Sequence, residues 1–222
     1  MASFDELLRH PGLWRAREQE GASARSDVVP TGYASLDRCL PGGGWPRQGL
    51  IEILADRRGI GELSLLVPAL AALGRAEDDG PGRPPPDDGW IAWISPPYQP
   101  YAPALAARGI DLDRLLVVRT SSAEWAMEQA LRSGACSAVI GWAALRDQRG
   151  LRRLQLAAEQ SRCMAVLFRG LEGGDEPSPA VLRIALEPDR DGLAVHVLKS
   201  RGGRPTTVRL GRLDPATQAV SH

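Results

Sequence analysis

The sequence predicts an α/β fold, a mainly parallel sheet flanked by helices with a C-terminal antiparallel meander. Three observations predict it. From Leu50 to Phe168, short apolar runs alternate with segments of helical length and periodicity, the pattern of strand–helix–strand units. From Val181 onward the helical segments disappear and strand-like runs follow one another directly. Between two of those runs lies Asp189-Arg190-Asp191-Gly192, an Asp/Gly turn of the kind that closes a β-hairpin.

Taken in order, Phe4, Leu7 and Leu8 share one helical face, Pro11 interrupts it, and Leu13 and Trp14 follow. Residues 20–29 read as a linker. Leu50 to Leu54 reads as a buried strand, and Leu63 to Leu73 as an apolar helix with Pro68 inside it. Residues 76–89 combine Pro81, Pro84, Pro85 and Pro86 with four aspartates. That composition cannot bury enough apolar area to order itself, and a flexible loop is expected. Strands are then expected at Trp90–Ser95, Leu115–Arg119, Ala135–Ile140 and Met164–Phe168. Helices fill the intervals at Tyr101–Arg108, residues 122–133 and Gly150–Gln160. The second helix opens on Ser121-x-x-Glu124, a capping-box pattern, and stops at Gly134. The meander comprises Val181–Leu186, Leu193–Lys199 and Thr206–Leu210. The organisation that follows is an N-terminal helical segment and linker (1–28), one core (29–212) carrying the 76–89 loop, and a C-terminal tail (213–222).

Composition excludes several function classes. The chain has 222 residues, of which 43% are hydrophobic and 24% charged, as in an ordinary folded domain. Lys+Arg and Asp+Glu both number 27, so no global field steers the chain to nucleic acid or an anionic membrane. No apolar run approaches the ~18 residues of a membrane span, and the Met1-Ala2-Ser3-Phe4-Asp5-Glu6 start lacks the features of a secretory leader. A cytoplasmic location is expected. Cys39, Cys136 and Cys163 are few and far apart, a spacing that argues against a disulfide framework and against zinc. No G-x-S-x-G elbow is present. Neither a metal nor a cofactor is expected.

The segment Ala55-Asp56-Arg57-Arg58-Gly59-Ile60-Gly61-Glu62-Leu63 sits where a phosphate loop would, between a buried strand and an apolar helix. A phosphate loop of the G-x-x-x-x-G-K-[ST] type needs a lysine and a hydroxyl after its second glycine. With Gly61 as that glycine, those positions hold Glu62 and Leu63. A unit charge ~4 Å from a phosphate is worth roughly 4 kcal/mol at an effective dielectric of ~20, so reversing its sign is a large change. Two readings follow: a Gly-x-Gly helix start without ligand, or weak anion binding helped by Arg57 or Arg58.

These surroundings carry a family resemblance. Pro30-Thr31-Gly32-Tyr33-Ala34-Ser35-Leu36-Asp37, the glycine-rich turn Pro41-Gly42-Gly43-Gly44-Trp45-Pro46 and the Leu50-Ile51-Glu52-Ile53 strand resemble the approach to the phosphate loop of RecA-type recombinases. Ala106 to Leu116 and Gln129 to Ala135 resemble later segments of the same core. Within that family the resemblance is strongest to the ImuA group, on Leu13-Trp14-Arg15, Gly59-Ile60-Gly61-Glu62-Leu63, Trp90-Ile91-Ala92-Trp93-Ile94, Pro100 to Leu105 and Leu151 to Glu159. Some members of that group are also described as related to the division inhibitor SulA.

The resemblance implies positions as well as a fold. A RecA-like core is expected. Its water-positioning glutamate would fall on Pro97 and its Mg²⁺-linked aspartate on Gly141, neither of which offers a carboxylate. Gly59, Gly61, Glu62, Leu63, Pro97 and Gly141 are thus degenerate positions, and no catalytic residue is assigned. The paired lysines with which the family reaches a neighbouring nucleotide would correspond to Lys199 and Arg201. Lys199, Arg201, Arg204, Arg209 and Arg212 form a run without an acidic residue. It reads either as a DNA or partner contact or as a charge-protected sheet edge. The segment after Phe168 is acidic (Glu172, Asp175, Glu176), unlike the family's DNA-contacting loop. Arg146, Arg149, Arg152 and Arg153 read as a helix surface. Phe4, Leu7, Leu8 and Trp14 either contact a neighbouring subunit or fold back on their own core. Trp93 is expected in the core, and Trp45 at an interface, where Trp is enriched.

The resemblance implies a non-catalytic RecA-like accessory protein of damage-induced (SOS) translesion DNA synthesis. Its implied partners are ImuB and an error-prone polymerase subunit, with RecA as a further one. The alternatives are a diverged RecA-type ATPase using Arg57 or Arg58, and a SulA-like cell-division inhibitor.

Overall fold

The computed structural model describes residues 28–74, 89–145, 147–173 and 176–211. The N-terminal segment, including Phe4, Leu7, Leu8 and Trp14, lies outside the described residues. So do all but the last residue of the 76–89 loop, Arg146, Arg212 and the 213–222 tail.

The strands are β1 (Val28–Val29), β2 (Trp45–Pro46), β3 (Leu50–Ala55), β4 (Trp90–Ile94), β5 (Leu115–Val118), β6 (Cys136–Trp142), β7 (Met164–Arg169), β8 (Leu182–Asp189), β9 (Gly192–Ser200) and β10 (Thr206–Gly211). The helices are α1 (Ala34–Asp37), α2 (Val67–Leu73), α3 (Ala102–Ala106), α4 (Ala123–Arg132) and α5 (Gln148–Ser161). β1 and β2 form a small antiparallel pair, and the other eight strands make one sheet in the order β10-β9-β8-β3-β7-β6-β4-β5. From β8 to β5 every pairing is parallel, and β9 and β10 add antiparallel strands beyond β8. The mainly parallel sheet with its meander is as the alternation predicts.

Apolar residues on both faces of β3 make it a central strand. Ile51 and Ile53 join Leu66, Leu70, Ile91, Trp93, Ile140 and Val195 in one buried cluster, with α1 and α2 over it. Leu50 joins Ile94, Val139, Leu167, Met127, Leu131, Leu151 and Leu154 in the other, under α4 and α5. Trp93 is in the core. Trp45 is also fully buried, which corrects the interface expectation. Its partner across the β1–β2 pair is Val29, and the three preceding glycines shape a turn that carries the ring inward.

Two other details depart from the sequence reading. The first is α2, which starts at Val67 and not at Leu63, with Pro68 in its first turn. In a longer helix the Pro68 ring would clash with the carbonyl of Ser64 and leave it without a donor. That carbonyl instead accepts a hydrogen bond from the Tyr33 hydroxyl at 3.1 Å, and burial pushes the phenol well above its ordinary pKa. The second is the start of α4, where Ser122 is the N-cap and makes no side-chain capping bond. Glu124 pairs with Arg153 of α5 instead of closing a box. Arg153 also reaches Glu128 at 3.4 Å. A charge pair between packed helices has replaced the local cap.

The hairpin turn follows prediction, with Arg190 and Asp191 linking β8 to β9 and Asp189 opposite Gly192. Arg149, Arg152 and Arg153 lie exposed on α5.

Candidate functional site

Parallel strands bring their C-terminal ends to one edge of the sheet, and loops from different strands meet there. The loop after β3, the turn after β4 and the ends of β6 and β7 line a cavity of about 470 Å³. Its walls include Arg57, Arg58, Glu62, Tyr98, Trp142 and Arg169. Trp142 stacks on Phe168 with ring centroids 5.1 Å apart, and meets Trp93 edge-on at 5.9 Å. An adjoining groove of about 840 Å³ shares Trp142, Ala143 and Ala144, and takes in Ser95, Thr120 and Trp125.

Glycine is required in the loop itself: Gly59 and Gly61 have φ of 79° and 102°, in the left-handed region. Glu62 is buried, and its Oε1 accepts the Gly59 backbone N–H at 2.9 Å. The loop therefore folds around its own carboxylate, which takes up an amide that a phosphate loop would offer to its ligand. Leu63 turns away and packs against the first core cluster. No helix begins at Gly61, because α2 starts six residues later. Arg57 is exposed and lies 3.8 Å from Asp56.

Pro97 lies in the turn after β4, next to Tyr98, which reaches the cavity. Gly141 is within β6 and not at its end, opposite Ile94 on one side and Leu167 on the other. A Cβ there would fall 2.8 Å from Met127 Cγ and Cε and closer still to Sδ. Met127 of α4 thus occupies the space that any side chain at this position would need.

Beneath the cavity is a charged cluster that the sequence reading did not identify. Glu52, wholly buried on β3, lies 2.6 Å from Arg169 Nη1 on β7 and 3.3 Å from Arg183 Nε on β8. Arg169 also donates to the Leu145 carbonyl, and Arg183 Nη1 donates to the Glu176 carbonyl at 2.8 Å. Part of the acidic segment after Phe168 therefore serves this cluster. A signal for it was present, since a glutamate inside an apolar strand requires a buried partner. Its identity depends on which strands flank β3.

The basic run is divided by the sheet. Antiparallel β9 returns the chain to the opposite edge, so Lys199 and Arg201 lie near the start of β3, and Arg204 follows in the exposed connection to β10. Arg209, opposite Ala194, lies toward the other end, 3.8 Å from Asp189. The five-residue run is therefore not one patch. Lys199 Nζ donates to the Ser178 carbonyl at 2.7 Å.

Among the described residues, no group of three His, Cys, Asp or Glu side chains is placed to hold a metal ion. None of Cys39, Cys136 and Cys163 is in a disulfide. No helix among the described residues is long and apolar enough to cross a membrane.

The strand order defines the class: an α/β protein whose mainly parallel sheet, flanked by helices and extended by antiparallel strands, fits a RecA-like core. No protein-family model matches the chain. It is 29% identical to the protein ImuA of Caulobacter vibrioides over 215 aligned positions, covering 84% of each chain. It is 31% identical to RecA of Tropheryma whipplei over 128 positions, 56% of this chain and 26% of that one. It is 34% identical to the cell division inhibitor SulA of Edwardsiella piscicida over 87 positions, 38% of this chain and 52% of that one. The matched stretch spans about half the length of that SulA and about a quarter of that RecA. These similarities support an ImuA/RecA-like, SulA-related protein.

Proposed function

We propose that this chain is a non-catalytic RecA-like accessory protein of damage-induced translesion DNA synthesis. It acts as a scaffold for ImuB and an error-prone polymerase subunit, with RecA as a further partner. The similarity to ImuA over 84% of the chain supports a role in damage-induced mutagenesis.

One observation carries the non-catalytic reading: the Glu62 carboxylate closes on the Gly59 amide inside the loop that would hold phosphate. Negative charge at that point opposes the ligand such a loop serves. Two further positions point the same way. Pro97 has no group to orient a water, and Met127 fills the space beside Gly141.

Titration of the purified chain with ATP, with and without Mg²⁺, tests this reading. The expected result is no saturable binding in the micromolar range. Saturable, Mg²⁺-dependent binding would favour the diverged-ATPase alternative, in which Arg57 and Arg58 on the cavity wall contact the phosphates. Co-purification with ImuB and the polymerase subunit tests the scaffold role, and its absence would sink it. The similarity to SulA favours one other reading, a cell-division inhibitor. Retention of the tubulin-like division protein in place of the polymerase partners would select it.

A further inference from the structure

At the edge of the sheet remote from the Glu62 loop, two glycine turns face each other across a cavity of about 210 Å³. One is the turn before β2, with Gly42 and Gly43 at φ 76° and 84°. The other follows β9, with Gly202 at φ 81°. Gly203 is packed so close to the first turn that a Cβ on it would lie 3.4 Å from Pro41 Cγ. Between them the walls are mostly apolar (Val28, Leu40, Pro46, Val181 and Leu182), with Gln48 and Ser200 adding polar groups. Gly49, at φ 96°, packs behind Val181, whose methyls lie 2.6 and 2.9 Å from where a Cβ would be. The cavity is smaller than the ~300 Å³ at which sites for drug-sized ligands begin, and suits one large apolar side chain.

The one charged residue of its lining is a cation. Arg201 lines the mouth, and Arg204 follows it, exposed, in the connection to β10. Among the described residues no acidic side chain lines the cavity. A phosphate backbone would use the cations and leave the apolar walls empty. An apolar side chain flanked by carboxylates would use both, because electrostatic complementarity around a buried anchor steers and orients a partner.

We propose that this cavity is a docking site for a short acidic segment of a protein partner, with one apolar side chain entering the cavity and flanking carboxylates meeting Arg201 and Arg204. The proposal rests on the scaffold reading above and assigns it a surface.

The test uses the full chain and fluorescein-labelled Asp/Glu peptides, each carrying one Leu, Phe, Met or Trp at a varied position. Anisotropy should show saturable, salt-sensitive binding by at least one of them. That binding should weaken about ten-fold or more when the apolar residue becomes Ser, in Arg201→Glu, and in Val28→Trp, which fills the cavity. Arg209→Glu, toward the other edge, should leave it unchanged. No saturable binding across the set, equal binding of Lys/Arg counterparts, or equal loss in Arg209→Glu would overturn the proposal. Single-stranded oligonucleotide binding abolished by Arg201→Glu would assign the surface to nucleic acid, and a dimer abolished by Val28→Trp would assign it to a second copy. Either result also overturns the proposal. Circular dichroism melting of each variant separates lost binding from lost folding, and a variant that melts early is replaced by Arg204→Glu. Co-purification of the polymerase partners without peptide binding would sink this assignment alone. Peptide binding without co-purification would sink the translesion reading alone.

Discussion

The Glu52 carboxylate lies 2.6 Å from Arg169 Nη1, and the two side chains are only 0% and 3% exposed. With Arg183 on its other oxygen, this one anion joins three adjacent parallel strands, β7, β3 and β8. Charges buried this deeply are tolerated only when each has a partner, and removing one strands the others.

Glu52→Gln should therefore cost about 3–5 kcal/mol, because it removes the buried anion shared by two guanidiniums and leaves Arg169 only the more distant Glu176 Oε2 at 3.8 Å. Urea unfolding of the variant against the parent chain measures it. A loss below ~1 kcal/mol, the size of an exposed pair, would show that the guanidiniums reach water or that Glu176 takes over the role of Glu52.

The contact between Gly141 and Met127 predicts a coupling. Gly141→Ala should destabilise by about 1–3 kcal/mol through overpacking, and Met127→Ala by about 2–5 kcal/mol through the cavity left behind. In the double variant the new methyl occupies space that Met127 vacates, so the combined loss should fall short of the sum. Additive losses would mean that the two positions do not share that space.

Glu62→Lys should not create ATP hydrolysis, because Leu63, Pro97 and Gly141 are unchanged. It should cost about 0.5–1.5 kcal/mol, since the Gly59 N–H loses its acceptor. Phosphate release above a buffer blank would show that the loop needs only a lysine.

The tryptophans should divide by burial. Trp45→Ala, at a wholly buried site, should cost about 3–5 kcal/mol. Trp125→Ala, 63% exposed on α4, should stay within about 0.5 kcal/mol of the parent. Thermal unfolding of both variants checks this, and similar losses would show that Trp125 is covered in solution.

What the sequence by itself determined is local in origin. Apolar periodicity placed the eight strands of the main sheet and the helices from α2 onward to within a few residues, because each pattern is a property of consecutive side chains. It missed β1, which falls in the expected 20–29 linker, and α1 and β2, all too short to carry a period. The Asp/Gly turn placed the hairpin for the same reason, and the sign of the charge at Glu62 follows from one residue and its neighbours. The tertiary structure decided whatever depends on partners distant in the chain. Glu52 and Arg169 are 117 positions apart, and only the order β7-β3-β8 makes them neighbours. Pro68 delays α2 and frees a carbonyl, but the Tyr33 hydroxyl that takes it comes from 31 residues away. Trp45 is buried because its turn folds inward, and the basic run is divided because β9 reverses direction. Arg201 meets the Gly42 turn only once β8 has paired with β3. Burial and charge pairing are sums over spatial neighbours, and linear order does not list those neighbours.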